Sequence, residues 1–159
     1  MGKLLVRQRL LSFADKFDVT DEFGQGKYYA QGKVFSWGKN CVIMDAGGRE
    51  VAKIEQRVMS WMPKFQVFVA GELMATIQKE FSFLRPRYHI DFGSIQVVGD
   101  PWRLNYSLEA QGQVIGAVNK KFFTMADTYE IEVYDDSLEL LILALVLSID
   151  YVKAQQSKH

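Results

Sequence analysis

At 159 residues, with 19 basic and 19 acidic side chains, the chain has the size of one domain and no net charge. That balance excludes the strongly basic footprint on which nucleic-acid binding usually rests. A lone cysteine, Cys41, excludes an internal disulfide framework and points to a reducing compartment.

The opening Met1-Gly-Lys-Leu-Leu-Val-Arg-Gln-Arg9 carries charge at Lys3 and again at Arg7, too soon for the apolar region of a signal peptide, and no small-residue cleavage site follows. Gly2 stands where a myristoyl group would attach, but Val6 occupies the position that signal gives to Ser or Thr. The chain is therefore expected to be cytoplasmic.

Residues 1–135 read as strands and turns. Residues that tolerate positive φ or fix a turn recur at Phe23-Gly-Gln-Gly26, Trp37-Gly-Lys-Asn40, Asp45-Ala-Gly-Gly48, Gly99-Asp-Pro101 and Gln111-Gly112. Cys41 opens the apolar run Cys41-Val-Ile-Met44, which marks it as a buried structural thiol. Phe65-Gln-Val-Phe-Val69 and Leu104-Asn-Tyr-Ser-Leu108 alternate in polarity. In Thr128-Tyr-Glu-Ile-Glu-Val-Tyr134 the same alternation puts Tyr129, Ile131 and Val133 on one face and Glu130 and Glu132 on the other. Short strands at this spacing predict a sandwich or a barrel. Aromatic groups stand beside turns at Trp61-Met62, Phe81-Ser-Phe83 and Phe122-Phe123, and adjacent Phe122 and Phe123 cannot both point inward on a regular strand.

Residues 136–155 break the pattern. Asp136 and Glu139 have capping-box spacing, and Leu140 to Leu147 is apolar on every side. A helix that is apolar all round must be buried all round. The run is shorter than the ~20 residues of a membrane span, so it is predicted to be a core helix. Strands that alternate need an apolar filling, and this helix needs an enclosure. The expected architecture is thus a closed antiparallel β-barrel around a central hydrophobic C-terminal helix, in one domain over residues 1–159. Closure would also remove exposed strand edges. Residues 45–69 align without a gap on 109–133, placing Arg57 on Lys121 and Phe65-Gln-Val67 on Tyr129-Glu-Ile131, which suggests two pseudo-equivalent sets of strands.

The chain resembles the LURP-one-related family of the tubby C-terminal-like superfamily, as a bacterial-type member. The resemblance runs through Leu5-Val-Arg-Gln-Arg9, Lys16-Phe-Asp-Val19, Gly32-Lys-Val-Phe-Ser-Trp37, Glu50-Val-Ala-Lys-Ile54, Tyr106-Ser-Leu108, Gly116-Ala-Val-Asn-Lys-Lys121 and Asp127-Thr-Tyr-Glu-Ile131. It ends on Leu145-Val-Leu-Ser-Ile-Asp-Tyr-Val152. It implies a barrel of about 12 strands around a C-terminal helix. Tubby relatives bind phosphoinositides through basic surface residues, and phospholipid scramblases are distant relatives. The cysteine-rich stretch and proline-rich extension of scramblases have no counterpart here.

Candidate chemistry is sparse. His89 and Asp91 share a strand face in Arg87-Tyr-His-Ile-Asp91, but no nucleophile elbow accompanies them. Two histidines and one cysteine are too few for a convincing zinc site. Gly24-Gln-Gly26 lacks the rest of a dinucleotide fingerprint. The acids Asp127, Glu130, Glu132, Asp135 and Asp136 lack the spacing of an EF-hand. No catalytic residue, cofactor or metal is assigned. The functional lead is basic: Lys53, Arg57, Lys120 and Lys121, with a second group at Arg85 and Arg87. Each basic residue near an anionic membrane contributes about 1 kcal/mol. The expected function is a non-enzymatic binding or scaffold module, cytoplasmic or peripheral to a membrane, that recognises anionic phospholipid headgroups or a protein partner. The alternatives are a small-molecule or enzymatic pocket at a barrel mouth holding His89 and Asp91, and a scramblase-like membrane protein.

Overall fold

The computed structural model describes residues 2–10, 15–35, 38–57, 63–80, 87–120 and 128–157. Twelve strands run in chain order: β1 Gly2–Leu10, β2 Asp15–Asp21, β3 Gly26–Phe35, β4 Gly38–Asp45, β5 Glu50–Arg57, β6 Lys64–Val69, β7 Glu72–Glu80, β8 Arg87–Asp91, β9 Ile95–Asp100, β10 Asn105–Ala110, β11 Gln113–Asn119 and β12 Thr128–Val133. The one α-helix among the described residues, α1 Glu139–Ser157, follows a short 3-10 turn at Asp136–Leu138.

The turns predicted from the sequence are built alike where β2 meets β3 and β4 meets β5. Asp21 Oδ1 accepts from the Phe23 and Gln25 N–H groups, and Asp45 Oδ1 accepts from those of Gly47 and Arg49. In each turn a glycine three residues after the aspartate takes positive φ, 84° at Gly24 and 83° at Gly48.

All strands join one antiparallel sheet in the order β8-β7-β6-β5-β4-β3-β2-β1-β12-β11-β10-β9. β12 returns to pair with β1, Leu4 opposite Ile131 and Val6 opposite Tyr129. The ends of the sheet are therefore β8 and β9, which are consecutive in the chain. Between them lies one isolated bridge, Phe92 to Ile95. The expected closed barrel is therefore not confirmed: among the described residues the sheet wraps the helix but no ladder closes it. The turn between them is tight. Asp91 Oδ1 accepts from Gly93 N–H at 3.0 Å, Gly93 takes φ 67°, and the Phe92 carbonyl accepts from Ile95 N–H at 3.2 Å. Beyond that bond, among the described residues, the two strands pair only with β7 and β10.

The inner face is the set the alternation selects, including Leu4, Val6, Phe17, Val19, Cys41, Ile43, Ile54, Phe65, Val67, Ile77, Leu108 and Ile131, all nearly or fully buried. Inside it every residue of α1 from Ile142 to Val152 is buried, and the helix packs on β5 and β6 from one side and on β11 and β12 from the other. Gly116 on β11 marks the close approach. A Cβ there would stand 3.1 Å from Ile142 Cγ2 and 3.1 Å from the Glu132 carbonyl oxygen.

Two details depart from the sequence reading, and a bulge accompanies the first. The capping box does not form: Asp135 caps the 3-10 turn by accepting from Ser137 N–H, while Glu139 accepts from Lys27 Nζ at 2.9 Å and Tyr28 Oη at 2.8 Å. A β-bulge between Val19 and Thr20 in the β2–β3 ladder leaves Lys27 without a partner opposite it, beside Tyr28. Glu130, expected to face solvent with Glu132, is 4% exposed, with Lys3 Nζ 3.4 Å away. The aromatic groups at 61–62, 81–83 and 122–123 lie outside the described residues.

Asp150 sits inside the core at 3% exposure and accepts a hydrogen bond from Tyr129 Oη at 2.9 Å. Tyr106 Oη is buried and finds no hydrogen-bond partner among the described residues. Burial, and after it the Asp150 charge, pushes both phenols well above the ordinary tyrosine range. The sign follows. The folded state holds these protons more tightly than the unfolded chain, whose tyrosines titrate near pH ~10, so stability is retained below that pH and falls as pH rises above it. Tyr106→Phe should flatten the alkaline slope of urea-unfolding free energy by up to about 1.4 kcal/mol per pH unit. It should also leave stability at pH 7 unchanged or raised, because it deletes a buried hydroxyl with no partner. An unchanged alkaline slope would show that Tyr106 ionises equally in both states.

Candidate functional site

On β5 the buried Ala52 and Ile54 leave Lys53, Glu55 and Arg57 on the outer face. Register then sets their neighbours. Lys53 lies opposite Phe68, Glu55 opposite Gln66 and Arg57 opposite Lys64. Lys64 in turn faces Gln78, and Gln78 faces His89. The outer surface therefore carries a row Arg57–Lys64–Gln78–His89 across four strands.

The three cations on this face differ in what holds them. Lys53 Nζ lies 2.8 Å from Glu55 Oε1 and 5.3 Å from the centroid of the Phe68 ring, and the bond to Glu55 raises its pKa. Arg57 Nε donates to Gln66 Oε1. Among the described residues neither Arg57 nor Lys64 has a carboxylate within ion-pair distance. Like charges directly opposed across a ladder destabilise it unless an anion sits over them. At the opposite end of β6 from Lys64, beside Lys53, Phe68 pairs in register with Leu73, which is 51% exposed, and Met74 beside it is 36% exposed. A cationic pair and an apolar rim thus share one outer face.

The remaining predicted basic residues do not join it. Lys120 follows β11, is exposed, and donates its N–H to the Leu104 carbonyl. In sheet order β11 stands six strands from β5, and α1 touches both from opposite sides. No single flat surface can meet Lys53, Arg57 and Lys120 together. Arg87 opens β8 opposite Glu80, and its side chain lies outside the described residues, as do Arg85 and Lys121 altogether. Lys64 was missed in the sequence. Its signal was available only through register: it begins the alternating strand whose Phe65 and Val67 point inward.

Two larger hollows mark the described surface. One of about 660 Å³ crosses the outer faces of β1–β3 and includes Arg7, Lys27 and Tyr28, but Lys27 and Tyr28 are committed to Glu139. Burial and that carboxylate raise the Tyr28 pKa. The other, about 720 Å³, lies at the seam between β8 and β9 and brings His89 and Asp91 together with Phe92, Val97 and Trp102. His89 and Asp91 are both exposed, and one Asp91 oxygen is bound to the Gly93 N–H in the turn. Among the described residues no three His, Cys, Asp or Glu side chains converge as a metal site would require. No described helix is long and apolar enough to cross a membrane.

Comparison with known proteins places these features in context. Residues 3–150 match the family model described as LURP-one-related. The Bacillus subtilis protein YxjI, itself named as uncharacterized, is 27% identical over 152 residues, covering 96% of this chain and 94% of that protein. An X-ray structure of an Arabidopsis thaliana protein superposes with a TM-score of 0.59 at 14% identity, over 94% of this chain and 91% of the other. This last likeness is one of fold.

Proposed function

The chain belongs to the LURP-one-related family, and from that premise we propose that it is a non-catalytic binding module meeting an anionic phospholipid surface with the outer face of β5–β7. The observation that carries this reading is the opposed pair Arg57 and Lys64, two cations in direct register without a described carboxylate between them. A phosphate placed over both removes the repulsion and adds charge-assisted hydrogen bonds. Leu73 and Met74 supply apolar contact at the same face. In this reading the protein is cytoplasmic and attaches to the membrane peripherally.

At about 1 kcal/mol per cation, two such residues give modest, salt-sensitive binding, and charge reversal costs more than neutralisation. Arg57→Glu with Lys64→Glu should lower binding to phosphatidylserine vesicles at least tenfold in co-sedimentation at low salt, while Lys120→Glu, on the far side of the sheet, should leave it within twofold. Binding to neutral vesicles should be absent. Equal losses from both variants, or no salt-sensitive binding by the parent protein, would refute this surface.

A further inference from the structure

The seam between β8 and β9 has a feature that the lipid reading does not use. In an antiparallel sheet each residue directs its N–H and C=O to one neighbouring strand, and successive residues alternate sides. The Lys79 N–H bonds to the Pro63 carbonyl beside β6, so the even residues of β7 serve β8, and Thr76 pairs with Asp91 and Gln78 with His89. Ile90 and Phe92 therefore turn their backbone groups outward into the seam. On the other side the Lys120 N–H bonds to the Leu104 carbonyl beside β11, so the odd residues of β10 serve β9, pairing Ser107 with Val98 and Glu109 with Gln96. Val97 and Gly99 then face the seam. The bond from Ile95 N–H to the Phe92 carbonyl agrees with both assignments. Past that bond, two strand edges look at one another across a groove of about 720 Å³ with no ladder between them among the described residues.

We propose that this seam is a strand-addition site for an extended peptide of a partner protein. Only a peptide backbone carries N–H and C=O groups at the spacing these edges present. The side chains restrict it further. Ile90, Phe92, Ile95 and Val97 lie toward the core, so the peptide has apolar residues at alternate positions. Near the turn, exposed Asp91 on β8 lines the groove with a carboxylate, so a lysine or arginine belongs at that end. Antiparallel pairing is the more stable arrangement, and along β9 it brings the peptide C-terminus to the turn. This site is independent of the lipid-binding surface.

The test uses the full chain and a capped peptide alternating valine and threonine with a C-terminal lysine, read by amide hydrogen exchange and titration calorimetry. In the free protein the Ile90 and Val97 amides should exchange at least about tenfold faster than those of His89, Gln96 and Val98, which bond within the sheet. The peptide should slow the exchange of Ile90 and Val97. The same peptide N-methylated at alternate residues keeps its side chains and should bind at least tenfold more weakly. Val97→Pro removes an N–H that faces only the seam, a substitution an edge strand tolerates; it should keep the parent circular dichroism spectrum and abolish binding. Arg57→Glu with Lys64→Glu should leave peptide binding unchanged. Protected Ile90 and Val97 amides in the free protein would show a closed seam and overturn the proposal. So would protection that grows with protein concentration, which makes a second copy the occupant, equal binding of the N-methylated peptide, or no binding at millimolar peptide.

Discussion

Leu145→Ala lowers the unfolding free energy by about 2–5 kcal/mol, the range for emptying a fully buried leucine site. Leu145 is 0% exposed in the middle of α1, on the stretch where every neighbour along the helix is buried as well. A cavity there lies between two sides of the sheet that both rest on the helix, so little backbone can collapse into it. In a chain of this size the corresponding fall in Tm is roughly 5–20 °C. Phe23→Ser, at an 88% exposed turn position, is the control and should stay within about 0.5 kcal/mol of the parent. Urea unfolding followed by tryptophan fluorescence measures both. A loss below 1 kcal/mol for Leu145→Ala would mean that the helix is not the filling of the sheet in solution.

Gly99→Ala is expected to be as damaging by another route. Gly99 has φ 114°, and a Cβ there would stand 2.7 Å from the Asn105 carbonyl oxygen and 2.9 Å from Tyr106 Cα. Both obstacles are backbone of the paired strand β10, so neither can rotate aside. The left-handed conformation costs about 1–2 kcal/mol for a residue with a Cβ, and forcing the ladder apart adds about 1–3 kcal/mol. Gly112→Ala separates the two contributions, because Gly112 has φ 78° but nothing within 4 Å of a new Cβ. It should lose only the conformational part, about 1–2 kcal/mol. Equal losses at the two positions would show that β9 moves freely against β10.

Much of this fold was legible from residue order. Alternation in residues 128–134 placed Tyr129, Ile131 and Val133 inward, where they are 1% exposed or less. The all-round apolar run 140–147 gave the core helix, and the paired turn chemistry of Asp21 and Asp45 is written in their spacing to Gly24 and Gly48. The candidate site was legible only in part. Lys53 and Arg57 face outward as their even spacing requires, yet Lys53 is held by Glu55, and the cation opposite Arg57 is Lys64, seven residues further along the chain. Which residues oppose one another depends on strand register, and register is a property of pairs of strands that neither sequence run states alone.

What the sequence by itself determined is the local and periodic part: alternating strands such as 65–69, 104–108 and 128–134, the turns around them and the buried helix. These follow from side-chain period and backbone conformational preference, which act over a few residues. Only the tertiary structure decided which strands end the sheet, because β8 and β9 are neighbours in the chain and alternate like the others, yet share a single bridge. It alone set Lys120 six strands from Arg57. Likewise it turned Glu139 from a capping residue into the acceptor for Lys27 and Tyr28, more than 100 residues earlier. Each of these outcomes rests on contacts between residues distant in sequence, whose geometry is set by how twelve strands share one helix as their common core.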